Sequence, residues 1–156
     1  MFSEVDQAIE LCREHLDRTN STATEIEAFL VRYLLVLIVA KFEAAVRSGL
    51  IAEIKANARA RVAAFAVSSV DNVLRSIKLG ELSGVLNKFE PELGAIFSDG
   101  ISRIPQAKNA YDNILNNRRT VAHDLGLVQL TFRELCENYA DSKAVVENFI
   151  RVLNGS

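Results

Sequence analysis

Eight consecutive apolar residues, Tyr33 to Ala40, constrain this chain more than any other stretch. Arg32 and Lys41 bracket them, so the run is far short of the roughly 20 residues of a membrane span. Alone, an apolar octet reads equally well as a buried strand or as part of a buried helix. The flanks decide for helix. Ile26, Phe29 and Leu30 before it, and Phe42, Ala45 and Val46 after it, continue a helical period. A helix apolar all round is buried all round, which makes this the expected central helix. Glu25, Arg32, Glu43 and Arg47 fall on one strip of it, with Glu43 and Arg47 spaced for an i,i+4 pair.

The rest of the chain supplies partners of the same kind, and the expected fold is all-α, a single domain over residues 1–156 built as one bundle of five to six helices. A first helix spans about 3–17, capped by Ser3, with Val5, Ala8, Ile9, Cys12 and Leu16 on one face. Thr22 with Glu25, or Thr24 with Glu27, forms a capping box for the central helix, and Gly49 is a natural residue to end it. A third helix covers about 50–77, with a bend marked by Ser68 and Ser69, and a short fourth covers 81–89, stopped before Pro91. Residues 91–105 are the most irregular part, with a further helical turn around 92–97. Pro105 opens the fifth helix, which ends near His123 and is closed by Gly126. Thr131 with Glu134 caps the last helix, which runs to about 153 and is interrupted near Asp141 and Ser142.

Composition narrows the function classes. The chain is 49% hydrophobic, with a mean hydropathy of +0.12, which points to apolar surface covered by another subunit. Its acidic, polar N-terminus is not read as a signal peptide. Cys12 and Cys136 each lie on an apolar stripe and are expected to be buried, reduced thiols of a cytoplasmic protein. Charge is uneven. Residues 1–30 carry two basic against seven acidic side chains, residues 31–119 carry 13 against eight, and residues 120–156 carry three against five. The basic middle, including Arg59, Arg61, Arg75, Lys78, Arg103 and Lys108, is either a path for a phosphate backbone or an ordinary solvated face. No Gly-rich phosphate loop is present, and the two His and two Cys do not make a zinc site, so neither a cofactor nor a metal is expected.

The chemistry concentrates in Tyr111 to Gly126. Ala107, Tyr111, Ile114, Leu115, Val121 and Ala122 mark one face of the fifth helix, and Arg118 falls on that stripe where a Leu would be expected. A charge there faces either a counter-charge or a wet cleft. Arg119 and His123 are one helical turn apart, and Arg118 precedes His123 by five residues. An amphipathic helix ending in Asn117, Arg118, Arg119 and His123, followed by a turn and another amphipathic helix, resembles the HEPN family of all-helical domains, whose signature is an Arg and a His separated by four to six residues. The stretch Arg32–Tyr33, the apolar run and Phe42–Glu43 is also similar to the second helix of stand-alone HEPN proteins. The resemblance covers roughly residues 25–155.

The resemblance implies a metal-independent endoribonuclease acting on RNA as a homodimer with the motif at the subunit interface, in the manner of toxins and defence effectors that have an antitoxin or defence-system protein partner and no membrane association. It assigns catalysis to Arg118 and His123, with Asn117, Arg119, Asp124 and Glu43 in supporting places, Glu43 as the counter-charge of Arg118. The chemistry is self-consistent, since an imidazole suits proton transfer and guanidiniums suit phosphate oxygens. Two departures are visible. Arg119 stands where the family commonly has Asn or another small polar residue, and Asp124 where Gly is common. They leave open a catalytically inactive HEPN module that binds RNA, a nucleotide or a protein, and an unrelated helical bundle in which the motif is structural.

Overall fold

The computed structural model describes residues 1–124 and 130–155, without the side chains of His123 and Asp124. Among these residues every regular element is an α-helix, as expected. Seven are present: α1 (Ser3–Thr19), α2 (Glu25–Asn57), α3 (Ala60–Val73), α4 (Leu79–Leu86), α5 (Leu93–Ser102), α6 (Pro105–Asp124) and α7 (Phe132–Leu153). The described chain forms two compact units, Met1–Lys41 with Asn109–Lys143 and Phe42–Lys108 with Ala144–Ser156.

The first unit buries the predicted stripe of α1, Val5, Ile9, Cys12 and Leu16. It also buries Leu34, Leu35 and Ile38 of α2, Tyr111 and Ile114 of α6, and Leu135 of α7. Ser3 is the first helical residue rather than the cap, and no side chain caps α1. At the start of α7 the expected capping box is present. The Thr131 amide donates to Glu134 Oε2 at 2.8 Å, and the Glu134 amide donates to Thr131 Oγ1 at 3.2 Å. The hydrogen bonds from the Thr131 amide and hydroxyl to Oε2 hold the Glu134 carboxyl below its usual range. At the start of α2 the pattern differs. Buried Glu27 accepts from the amides of Ala23 and, at 2.8 Å, Phe132, so this carboxylate fastens α2 to α7 instead of closing a local box with Thr24.

Tyr139 ties α7 to the N-terminus. Its hydroxyl donates to Asp6 Oδ1 at 2.8 Å, Phe2 packs edge-on against its ring at 6.5 Å, and Lys143 Nζ lies 4.8 Å from the ring centroid. Burial, then the hydrogen bond and charge of Asp6, push the phenol well above the ordinary tyrosine value of about 10. The unfolded chain releases this proton first, so the contribution is fully present below pH about 10 and is lost as the pH rises further. Urea titrations across the alkaline range should show falling stability in the wild type and a flatter limb in Tyr139→Phe. Equal limbs would remove Tyr139 as the cause.

The second unit packs Phe42, Val46 and Leu50 of α2, Leu82 and Leu86 of α4, Phe97 and Ile101 of α5, and Val145, Val146 and Phe149 of α7. Phe97 and Phe149 meet edge to face at 6.0 Å. Asn148, nearly buried, donates to the Phe97 carbonyl at 3.3 Å and accepts from Arg151 at 2.7 Å. Asn87 Oδ1 accepts from the Gly94 amide at 3.0 Å, and a Cβ at Gly94 would displace the Asn87 side chain that accepts this bond.

Four sequence expectations are corrected. The central helix does not end at Gly49. It runs on to Asn57 because Val46 and Leu50 remain on a buried face, which outweighs the roughly 1 kcal/mol cost of a helical Gly. The residues expected in one helix from 50 to 77 are divided between the end of α2 and α3, and within α3 the Ser68 and Ser69 hydroxyls both donate to the Phe65 carbonyl. α7 is not interrupted at Asp141 and Ser142. Ser142 is fully buried and its hydroxyl is satisfied by the Tyr139 carbonyl at 3.0 Å. Finally, α2 is not buried all round. Leu34, Leu35 and Ile38 are inaccessible, whereas Ile26, Phe29, Tyr33 and Val36 are 46%, 68%, 52% and 47% exposed. Gly126 lies outside the described residues.

Candidate functional site

α6 carries the candidate site, and Pro105 occupies its first position, where the missing N–H has no helical partner to lose. Ala107, Ala110, Tyr111 and Ile114 are buried on one face. Beyond Ile114 no residue through Ala122 is buried. Leu115, Asn117 and Val121 are half-buried, and Asn116, Arg118, Arg119, Thr120 and Ala122 are exposed. The apolar stripe expected to continue to Val121 and Ala122 therefore ends at Ile114. That resolves the placement of Arg118. It follows Ile114 by one turn, after burial has ceased, and its guanidinium bears no desolvation cost.

Among the described residues neither Arg118 nor Arg119 has a carboxylate within ion-pair distance. Their other neighbours on α6 with described side chains are neutral. Asn117 donates to the Asn113 carbonyl at 2.9 Å and Thr120 to the Asn116 carbonyl at 3.2 Å, so both side chains back-bond to the helix. His123 and Asp124 belong to α6 by their backbone, and the roles expected of their side chains lie outside the described residues. Helical geometry alone puts His123 one turn beyond Arg119.

Glu43 is half-buried on α2, in the second unit, with no hydrogen-bond or ion-pair partner among the described residues. The i,i+4 pair with Arg47 does not form, because Arg47 pairs with Asp71 of α3. The six basic residues of the middle segment are all exposed in the second unit, and Arg103 is neutralised by Asp99 at 2.6 Å. Cys12 is buried and Cys136 half-buried, both as free thiols. Burial pushes both thiols up, although Arg13 opposes this at Cys136, so neither is poised as a nucleophile.

Sequence reasoning missed two surface features. One is the exposed side of α2. The other is an apolar cleft of about 320 Å³ in the second unit, lined by Leu50, Ile54, Phe65, Val70, Val85 and Phe89 among others. Periodicity marks these residues as apolar and does not tell a lining from a core. Among the described residues no helix is long and apolar enough to cross a membrane, and no group of three or more His, Cys, Asp or Glu is placed to hold a metal ion.

Comparison of the chain with protein-family models, with curated proteins and with solved structures gave no match.

Proposed function

We propose that the chain is a metal-independent endoribonuclease of the HEPN type, a toxin or defence effector whose site is the end of α6. The observation that carries this reading is the pair of adjacent, exposed guanidiniums, Arg118 and Arg119, with no carboxylate partner among the described residues and with amide, hydroxyl and aliphatic side chains as their other described neighbours on the helix. A guanidinium free of an internal acid keeps its donors for phosphate oxygens, to which it binds in a bidentate, planar manner. His123, one turn on, supplies the proton-transfer group. One copy has one such imidazole. A homodimer that brings two copies of the motif together gives one His123 as base and the other as acid.

The test is incubation of purified protein with single-stranded RNA in EDTA. The expected products carry a 2′,3′-cyclic phosphate on one fragment and a 5′-OH on the other, and a 2′-deoxy nucleotide at the scissile position should block cutting there. Cleavage that EDTA abolishes, or equal cutting of DNA, would overturn the mechanism. RNA bound without being cut would assign the chain to the inactive binding modules, with the departures at Arg119 and Asp124 as the first substitutions to reverse.

A further inference from the structure

The apolar cleft of the second unit is built by three helices. Leu50 and Ile54 near the end of α2, Ala66, Val70 and Val73 of α3, and Val85 of α4 all line it. Phe65 and Phe89 line it as well, yet they are 74% and 39% exposed. Neither ring has an aromatic partner among the described residues. An aromatic ring at the mouth of a cleft with that much of its surface in water has apolar area left to bury. At about 320 Å³ the cleft lies at the lower end of the roughly 300–1,000 Å³ of small-molecule sites. Its α3 wall, from Phe65 to Val73, is about 12 Å long at 1.5 Å per residue. That is room for one small, elongated molecule.

Two polar side chains complete the lining, Ser69 and Lys88. The Ser69 hydroxyl donates to the Phe65 carbonyl at 3.1 Å, so it brings no free donor. Lys88 is exposed, in the turn after α4, and has no ion pair among the described residues. The surroundings carry the same sign. Residues 54–70 hold Lys55, Arg59 and Arg61 and no acid. All three are exposed, and Arg61 stands one helical turn before Phe65. α3 starts with no acidic residue in its first turn and no side-chain cap, which leaves the positive end of its dipole uncompensated. The acids that flank this stretch are engaged: Glu53 accepts from Asn57, and Asp71 pairs with Arg47. Glu81 and Glu90, on the Lys88 side, are exposed and outside the lining.

We propose that this cleft binds a single-chain aliphatic carboxylate, a free fatty acid of medium length, with its chain between α2, α3 and α4 and its carboxylate on Lys88. The chain displaces water that the apolar walls cannot hydrogen-bond. The carboxylate stays at the exposed mouth, where it keeps most of its hydration and gains a cation. A cationic head would meet Lys88 and the acid-free start of α3 instead. A nucleotide or an extended peptide is a poor occupant, because its polar edges would lie unpaired against Leu, Ile and Val side chains. The inference uses residues of the second unit alone and stands whether or not the chain cuts RNA.

Isothermal titration of the full chain with hexanoate, octanoate, decanoate and hexadecanoate, each below its aggregation limit, tests it. Affinity should rise about fourfold for each methylene that enters the cleft, the effect of one buried CH₂, and should reach a plateau once the cleft is full, so that hexadecanoate gains little over decanoate. Decyltrimethylammonium, with the same chain and the opposite charge, should bind about fivefold or more weakly than decanoate. Lys88→Glu should lower decanoate affinity by about fivefold or more and leave 1-decanol within about threefold of the wild type. Ala66→Phe places a ring inside the cleft and should weaken both ligands about tenfold or more. Phe65→Ala, at an exposed position where folding is not at stake, should weaken both about fivefold with an unchanged circular dichroism spectrum. No decanoate binding at about 1 mM, equal binding of the cationic chain, wild-type affinity in Phe65→Ala, or affinity that climbs steadily to hexadecanoate would each overturn the proposal. Binding to vesicles of anionic phospholipid without binding of decanoate would overturn it too, in favour of a membrane surface. The ribonuclease reading fails separately. A protein that binds decanoate as described and cuts no RNA keeps the cleft and removes the enzyme, and RNA cleavage by a protein that ignores decanoate does the reverse.

Discussion

Ile38→Ala should lower the free energy of unfolding by about 2–5 kcal/mol, whereas Leu37→Ala, its neighbour in the chain, should cost less than half as much. Ile38 is completely inaccessible and lies one turn from Leu34 and Leu35, which are inaccessible too. Truncation there removes three buried carbons and leaves a cavity that rigid helices close only in part, and both effects add. Leu37 is half-buried, so solvent fills much of the space its side chain vacates and less apolar area changes its surroundings. Urea denaturation followed by circular dichroism gives both numbers, and an unchanged m-value would show that the denatured state is not what moved. Equal costs at the two positions would mean that the Tyr33–Ala40 run is buried on all sides after all.

That contrast marks how far the sequence alone can be read. The octet and its flanks are sufficient to establish a helix, because a 3.6-residue period extends in both directions. They are not sufficient to say that Tyr33 and Val36 lie outside, because periodicity finds an apolar side only where a polar one opposes it. The Thr131–Glu134 box is readable since both partners are local. The part played by Glu27 is not, since its acceptor oxygen serves the Phe132 amide, 105 residues away. Gly49 carries the composition of a helix end and is helical instead, with Ile150 and Leu153 of α7 in van der Waals range of where a Cβ would be. Nothing in Ala58–Arg59 foretells the break between α2 and α3. At the candidate site, the sequence places Arg118, Arg119 and His123 at one end of one helix, and the structure puts both arginines there. It does not tell that burial stops at Ile114, and that is the fact which turns Arg118 from a charge in need of an internal partner into one available to a ligand.

His123→Ala should reduce RNA cleavage by about 10²–10⁴-fold, the usual worth of a positioned general acid or base. Arg118→Ala should reduce it by about 10²–10³-fold, as removing a donor to the developing phosphorane charge does elsewhere. Neither change should cost more than about 1 kcal/mol of stability, because no residue of α6 from Leu115 through Ala122 is fully buried and Arg118 and Arg119 hold no acid among the described residues. The two variants then separate by other readouts. Removing a guanidinium that binds phosphate weakens RNA binding and lowers the slope of log affinity against log salt by about 0.7 per phosphate on a single strand. Arg118→Ala and Arg119→Ala should both show that change, and His123→Ala should bind RNA with the wild-type slope while failing to cut it. Arg118→Lys keeps the charge without the planar fork and should recover the salt slope more fully than the rate. Cleavage by the wild type should also decline at acidic pH as His123 becomes fully protonated and can no longer accept the 2′-OH proton. If His123→Ala cuts RNA at the wild-type rate, the imidazole is not the proton carrier. If it unfolds the protein, the motif holds the helix end together, and the arginines beside it are surface charges with no substrate to meet.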